Sequence, residues 1–145
     1  MELDNKKIRI MNASLRNYGD DIPDLTELWG SLQQANRFHG HGSLRFVYKN
    51  GQTARFSLAA LKYIQNPYRT NSRFAVVVSK KVLKSAVRRN RVRRRIYEII
   101  RRELPNLKNS QDIAVIVFSA EVLAMPHAEL QTAIKNLLFQ AKLYK

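Results

Sequence analysis

The chain of 145 residues contains no cysteine, which excludes disulfides, thiolate nucleophiles and cysteine-ligated zinc sites. It also lacks any run of about 20 apolar residues, the length that a membrane-spanning helix needs. The first fifteen residues, MELDNKKIRIMNASL, do not contain the apolar core of a secretory signal. We therefore expect a cytoplasmic protein that has no association with a membrane.

Negative charge is missing from the middle of the chain. No Asp or Glu lies between Glu27 and Glu98, whereas sixteen Lys and Arg fall in that interval. This stretch cannot hold a two-carboxylate metal nuclease centre, because carboxylate oxygens are the protein ligands that bind Mg²⁺ there. Only three histidines are present, which argues against a transition-metal site. We predict no metal site in the protein alone.

The charge that is present is strongly positive and unevenly distributed. The formal net charge is +15, and the sequence pI is about 10.6. Residues 1–36 hold four basic and six acidic residues, whereas residues 37–145 hold 22 basic and five acidic ones. We predict an acidic N-terminal extension over 1–35, which includes a short helix and Trp29, and one basic domain over 36–145. Because 45% of the residues are hydrophobic, the chain can bury a core. Because the domain is strongly basic, a nucleic acid is its first expected partner.

Hydrophobic periodicity predicts an alternation of helices and strands. Ser43 is expected to cap a short first helix that Gly51 ends. The run 53–64 predicts one or two strands, 73–79 a central strand, and 112–120 another strand. Helices are predicted from about Ser85 to Glu103 and over the C-terminal residues 127–144. The order is that of an α+β domain with helices packed on one sheet, and Phe46 and Phe56 are assigned to its core.

Six arginines lie within eight residues at the start of the second long helix, in the run RRNRVRRR from Arg88 to Arg95. Like charges at this spacing repel one another on a helix, so a solvated face is a poor explanation. At about 100° per residue, Val92, Ile96, Ile99 and Ile100 share the apolar stripe. The same geometry points Asn90, Arg94 and Arg101 outward, puts Arg88, Arg91 and Arg95 on the flank, and leaves Arg89 at the edge of the buried arc.

The segment SKKVLKSAVRRNRVRRRIYEIIR resembles the protein subunit of bacterial ribonuclease P, in which a strand ending in Ser-Lys-Lys leads to a helix with Arg-Asn-Arg. FVYKNG, DIAVIVFSA and LLFQAKLYK resemble other parts of that family in the same order, so the resemblance covers roughly residues 36–145. It implies an αβββαβα two-layer sandwich similar to the ribosomal protein S5 domain 2-like fold, with a left-handed βαβ crossover. It also implies an endonuclease whose RNA subunit cleaves the 5′ leader from precursor tRNA with bound Mg²⁺.

The resemblance assigns two groups of binding residues and no catalytic residue in the protein. The residues implied to bind the catalytic RNA are Lys80, Lys81, Arg88, Arg89, Asn90, Arg91, Arg93 and Arg94. Those implied to bind the leader are Leu44, Arg45, Tyr48, Lys62 and Tyr63. The family pattern has an aromatic residue at the position of Leu44 and a basic one at that of Tyr97, so this chain departs from it at both.

Two functions remain open at this point. The first is the protein subunit of ribonuclease P, with the catalytic RNA and precursor tRNA as partners and Mg²⁺ bound mainly by the RNA. The alternative is a non-enzymatic basic RNA-binding protein of the ribosomal or assembly type. Both predict salt-sensitive RNA binding, but a ribosomal binder does not require Tyr48 together with the Ser-Lys-Lys edge.

Overall fold

The computed structural model describes Asn36, Phe38 and residues 41–145, and the predicted extension 1–35 with Trp29 lies outside them. Three helices and four strands follow in the predicted order: α1 (His41–Asn50), β1 (Gln52–Arg55), β2 (Ala59–Gln65), β3 (Arg73–Val78), α2 (Ala86–Glu103), β4 (Gln111–Val117) and α3 (His127–Gln140). Short 3₁₀ helices cover Leu104–Asn106 and Ala120–Ala124. The α+β class and the αβββαβα order are confirmed. Among the described helices none is long and apolar enough to cross a membrane.

The strands form one mixed sheet in the order β1-β2-β4-β3, in which only β3 and β4 are parallel. The prediction that residues 73–79 form a central strand is wrong, because β3 lies at the edge. Every residue of β3 is buried, as in a central strand, because α2 packs against it. The hydroxyl of Tyr97, on α2, accepts a hydrogen bond from the Val76 backbone N–H at 2.9 Å. The handedness of the β3-α2-β4 crossover stays a prediction.

A buried ion pair joins the first residue of β3 to β4. Arg73 and Asp112 face each other in the parallel register, and both are nearly inaccessible, at 2% and 3% exposed. The guanidinium donates from Nε to Oδ1 at 2.8 Å and from Nη2 to Oδ2 at 2.6 Å. Asn66 also donates to Oδ2, and the ring of Phe38 lies 4.7 Å below the guanidinium carbon. This forked contact favours a single register of the two parallel strands.

The helices bury the predicted apolar stripes. Val92, Ile96, Ile99 and Ile100 of α2 are all in the core, as are the predicted residues of the C-terminal helix, Leu130, Ile134, Leu137, Leu138 and Ala141. Tyr144, beyond α3, donates a hydrogen bond to Glu103 at the end of α2. Burial and the nearby carboxylate raise the pKa of the Tyr144 phenol to about 12. The chain end is thereby attached to the helix that carries the arginines.

α1 begins at His41, three residues before the predicted first residue Leu44, so Ser43 lies inside the helix and is not its N-terminal cap. Gly51 follows the last residue of α1 and donates to the Val47 carbonyl at 2.8 Å. A Cβ at Gly51 would lie 2.5 Å from the Val47 oxygen and 3.0 Å from the Tyr63 oxygen. Glycine is required there because two backbone segments approach closely, so that α1 can turn directly onto the sheet.

Replacing Gly51 by alanine is expected to lower the free energy of unfolding by roughly 1–3 kcal/mol, since the new methyl group overlaps backbone atoms that cannot rotate away. The matched control is Gly42→Ala in the same helix, where nothing in the described structure lies within 4 Å of the new Cβ. That variant should keep the stability or raise it by up to about 1 kcal/mol. Urea unfolding followed by circular dichroism measures both, and equal stabilities would contradict the close-approach explanation.

Candidate nucleic-acid interface

The loop between β3 and α2, residues 79–85, brings exposed cations next to a helix N-terminus. Ser85 caps α2, and its side-chain oxygen accepts from the Arg88 backbone N–H at 3.3 Å. The Ser79 carbonyl accepts from the backbone N–H groups of Val82 and Leu83, both at 3.1 Å, so the loop turns tightly after the strand. The exposed cations of the loop and of the first turns of α2 are Lys80, Lys81, Lys84, Arg88, Arg91 and Arg94. We call these six residues the basic edge.

Arg89 is directed inward and holds this loop in place. Its residue surface is only 9% exposed, and Nη1 donates to the carbonyls of Leu83 and Lys84, each at 2.9 Å. Hydrogen bonds from a charged donor are stronger than neutral ones. The sequence reasoning placed Arg89 at the edge of the buried arc and assigned it to the RNA. The geometry gives it a positioning role, because its guanidinium already binds the loop that carries Lys84.

Arg93 is also buried, at 4% exposed, although the sequence reasoning grouped it with Arg94 as an RNA contact. Its Nη2 donates to Oδ1 of Asn90 at 2.6 Å. The carbonyl oxygen of the half-buried Asn90 side chain is therefore occupied, which leaves the amide N–H groups to donate to an acceptor. Arg93 orients Asn90, whereas Arg94, the next residue, points to solvent.

Arg95 holds the far side of the same helix. Its Nη1 donates to the carbonyls of Val122 and Leu123, each at 3.2 Å, and Nη2 donates to the Met125 carbonyl at 2.5 Å. These carbonyls belong to the 3₁₀ helix that precedes α3 and to the residue after it. Of the six arginines in the run, three thus bind the protein and three face solvent.

The buried arc of α2 is wider than the apolar stripe. From Val92, the arc extends by about 140° to Tyr97 at about 100° per residue, and Arg89 and Arg93 lie within it. Tyr97 is 0% exposed because α2 covers the edge of β3 as well as packing on the sheet. The positions of the apolar residues could not reveal the width of the buried arc, since two arginines and a tyrosine fill its additional part.

The basic edge ends where the first acidic residue of the helix appears. Glu98 accepts two hydrogen bonds from Arg101, at 2.6 and 3.1 Å, and one from Arg102 at 3.3 Å. The pKa of Glu98 is lowered, first by the hydrogen bond from Arg101. Arg101 was predicted to point outward and does so, but its charge is offset. The unbalanced positive charge of α2 is therefore concentrated in its first half.

The residues assigned to the leader lie on α1 and β2. Leu44 is 2% exposed, so it packs in the core and offers no surface to a ligand; we revise its role accordingly. Tyr48 is 7% exposed, Arg45 is exposed, and Lys62 and Tyr63 are half-buried. Partial burial lowers the pKa of the Lys62 ammonium. α1 meets β2 where the Tyr63 backbone approaches Gly51, at the end of the helix. Because Lys62 and Tyr63 are consecutive in β2, their side chains point to opposite faces of the sheet.

The leader residues and the basic edge are separate surfaces. Lys62 pairs with Ala114, and Ala114 pairs with Ala75, three residues before the end of β3. With strands about 4.8 Å apart and a rise of about 3.3 Å per residue, Lys62 lies roughly 10 Å across and roughly 10 Å along the sheet from that end. A single nucleotide cannot contact both surfaces at once, whereas a long or folded RNA can.

The prediction that Phe46 belongs to the core is wrong, because its residue surface is 55% exposed. Phe56 is half-buried and packs against the core. The helical wheel of α1 carries the signal for Phe46: if Leu44, Val47 and Tyr48 mark the buried face, Phe46 falls on the opposite side at about 100° per residue. Within the described residues no group of three or more His, Cys, Asp or Glu that could hold a metal is found.

Comparison with known proteins assigns a family to this arrangement. The family model described as Ribonuclease P matches residues 32–142. The ribonuclease P protein component of Pseudanabaena sp. is 37% identical over 112 residues, which cover 77% of this chain and 95% of that protein. The component of Chloroflexus aggregans is 36% identical over 110 residues, which cover 76% of this chain and 80% of that protein.

Solved structures agree with this similarity. A Staphylococcus aureus RNase P protein mutant with defective mRNA degradation activity is 25% identical, with a TM-score of 0.70 over 77% of this chain and 92% of that one. The RNase P protein from Thermotoga maritima is 26% identical, with a TM-score of 0.63 over 70% of this chain and 96% of that one.

The substitution Arg89→Met is expected to lower the free energy of unfolding by about 1–3 kcal/mol, because the buried carbonyl of Leu83 and the partly buried carbonyl of Lys84 lose their charged donor. Methionine keeps an apolar stem of similar length. The control Arg88→Met removes an exposed charge one residue earlier and should change the stability by less than about 0.5 kcal/mol. Chemical denaturation of both variants measures the difference, and equal values would remove the positioning role of Arg89.

Proposed function

Since this chain belongs to the ribonuclease P protein family, we propose that its basic edge binds the catalytic RNA and that the surface between α1 and β2 binds the 5′ leader of precursor tRNA. The chain is a protein component of ribonuclease P, a ribonucleoprotein endoribonuclease of tRNA 5′ processing. Membership of this family favours the ribonuclease P function over the alternative of a ribosomal or assembly protein, which the sequence alone left open.

The basic edge carries the proposed contact with the catalytic RNA, and this is the observation on which the function mainly depends. Arg88, Arg91 and Arg94 recur every three residues on the solvent side of α2, and Lys80, Lys81 and Lys84 extend the surface along the loop. Guanidinium groups bind phosphate oxygens through two parallel hydrogen bonds. Because the nearest acidic side chain on the helix is Glu98, whose charge is already paired, the phosphates of a folded RNA meet little repulsion here.

The predicted triplet Arg89-Asn90-Arg91 performs three different tasks in this proposal. Arg91 contacts phosphate directly, Asn90 donates from its amide to an RNA acceptor in the orientation set by Arg93, and Arg89 fixes the loop. Arg93 and Arg89 thus support RNA binding through other residues. The internal hydrogen bonds at 2.6 Å and 2.9 Å support this division.

The leader is proposed to contact Arg45, Tyr48 and either Lys62 or Tyr63, which are consecutive in β2 and point to opposite faces of the sheet. Arg45 is exposed and offers a charge to the leader phosphates, whereas Tyr48, at 7% exposed, can present only a narrow part of its ring. Lys62 is half-buried, which lowers the pKa of its ammonium and strengthens the attraction of the charged form to an anion. Tyr63 is half-buried as well.

Phosphodiester hydrolysis by this assembly is proposed to use Mg²⁺ bound mainly by the partner RNA. The described residues provide cationic and amide donors around the RNA, and three of their five Asp and Glu side chains are paired within the protein: Asp112 with Arg73, Glu98 with Arg101 and Glu103 with Lys135. The protein therefore contributes by binding and orientation. We further propose that the assembly works in the cytoplasm, where bacterial precursor tRNA is made.

Reconstitution tests the function directly. We expect the purified protein to cleave nothing alone, but to raise the rate at which its cognate catalytic RNA processes precursor tRNA at low millimolar Mg²⁺, where that RNA alone is inefficient. The physical reason is that the added cations reduce the repulsion between two polyanions, which Mg²⁺ must otherwise screen. Equal single-turnover rates with and without protein under these conditions would refute the proposal.

Neutralising the basic edge should weaken the affinity for the catalytic RNA and flatten its salt dependence. For the triple variant Arg88→Gln, Arg91→Gln, Arg94→Gln, the negative slope of log K against log salt should become shallower by about 2 to 3, since each phosphate contact contributes about 0.7–0.9 to its magnitude. The control is the double variant Glu98→Gln, Arg101→Gln, which removes an ion pair from the same helix without changing the net charge. Filter binding at several salt concentrations measures both, and identical slopes for the triple variant and the wild-type protein would exclude this surface.

A further inference from the structure

The outward face of α1 carries an aromatic ring that the proposed leader contacts do not include. Phe46 is 55% exposed and lies on the side of the helix opposite Leu44, Val47 and Tyr48, which are buried. Its backbone carbonyl accepts from the Asn50 side chain at 3.2 Å, one turn later. The ring is therefore accessible to a ligand on the solvent side of α1.

The surroundings of this ring are cationic and open. Arg45 precedes Phe46 and Lys49 lies one turn after it, and both residues are exposed. Gly42 lies one turn before the ring, and in the described structure no atom lies within 4 Å of where its Cβ would be. A planar group can therefore approach the ring over Gly42.

We propose that Phe46 stacks an unpaired base of the precursor-tRNA leader, with Arg45 and Lys49 contacting the phosphates on either side of that base. This inference deepens the proposed function and rests on its leader-binding part. It adds a second contact on the solvent side of α1, opposite the junction with β2. Stacking on an aromatic ring accepts any base, because every base has a π face.

The other aromatic residue of α1 is poorly placed for this role. Tyr48 is 7% exposed and its side chain packs with the core cluster, so little of its ring can meet a base. Leu44, at the position where the family pattern has an aromatic residue, is 2% exposed. Phe46 is the α1 ring that remains accessible, which places the strongest stacking surface of this helix on its outer side.

The chemistry of the patch favours a single-stranded nucleic acid over a protein partner. A protein interface centres on several contiguous apolar side chains, whereas Phe46 is surrounded on the helix surface by Gly42, Arg45, Lys49 and Asn50. An isolated ring flanked by cations is the arrangement with which proteins hold unpaired nucleotides without reading their sequence. Charge complementarity therefore selects the RNA leader as the occupant.

The test uses the reconstituted ribonucleoprotein with two precursor tRNAs, one with a long unpaired leader and one with a single-nucleotide leader. Phe46→Leu should weaken the affinity for the long-leader substrate by about 5- to 20-fold, in the lower part of the range for base–aromatic stacking. Affinity for the single-nucleotide leader should stay unchanged. Phe46→Trp should restore the long-leader affinity, because it keeps an aromatic surface.

The matched control is Phe139→Leu, which replaces another exposed phenylalanine, 76% exposed on α3, and should leave both affinities unchanged. Thermal midpoints of all variants should agree within error, since each site is exposed. If the wild-type protein does not stimulate cleavage, the proposed function fails. If it does stimulate cleavage and Phe46→Leu binds the long leader as tightly as the wild type, or loses both substrates equally, only the stacking proposal is overturned.

Discussion

The hydrogen bonds from the Arg89 guanidinium to the carbonyls of Leu83 and Lys84 are the constraint on which the RNA-binding surface depends. A loop that carries three lysines next to three arginines repels itself, and it would spread in solution if nothing held it. Arg89 attaches the loop to the first turns of α2 from inside. The cations on its outer side therefore keep fixed positions, which lowers the entropy that RNA binding must overcome.

A second buried arginine sets the frame in which that loop begins. The forked pair between Arg73 and Asp112 fixes the parallel register of β3 and β4 at one end of the sheet, and the loop leaves β3 at the other end. Because every residue of β3 is buried and the strand is extended, the register set at Arg73 determines where Lys80 emerges. Removing one partner of such a buried pair costs several kcal/mol, since the other charge is left without compensation.

The sequence predicted the element order and the core of the helices because both depend on the spacing of apolar residues. Val92 and Ile96 could be assigned to the core from that spacing alone. The position of β3 at the sheet edge could not, since a strand covered by a helix has the same apolar composition as a central one. The periodicity also defined the direction of the buried face of α2 but not its width, which depends on how Tyr97 meets the Val76 backbone.

The binding residues were predicted less completely than the fold, and for a related reason. A run of arginines indicates a polyanion partner, but the sequence does not distinguish the exposed Arg91 from arginines that bind the protein. Arg93 binds Asn90, and Arg95 binds carbonyls that precede α3. Leu44 and Phe46 show the complementary error. The family pattern assigned Leu44 to the leader although it is buried, and hydrophobicity assigned Phe46 to the core although it is exposed.

The division of the arginine run into inward and outward members has a consequence for how related sequences can vary. Arg88, Arg91 and Arg94 offer charge to a flexible polyanion, and lysine can supply that charge with modest loss. Arg89 and Arg95 each reach two or more carbonyls from one planar group, which the ammonium of lysine cannot reproduce in the same geometry. Within one stretch of apparently uniform basic residues, drift between arginine and lysine should therefore follow a repeating pattern set by the helix.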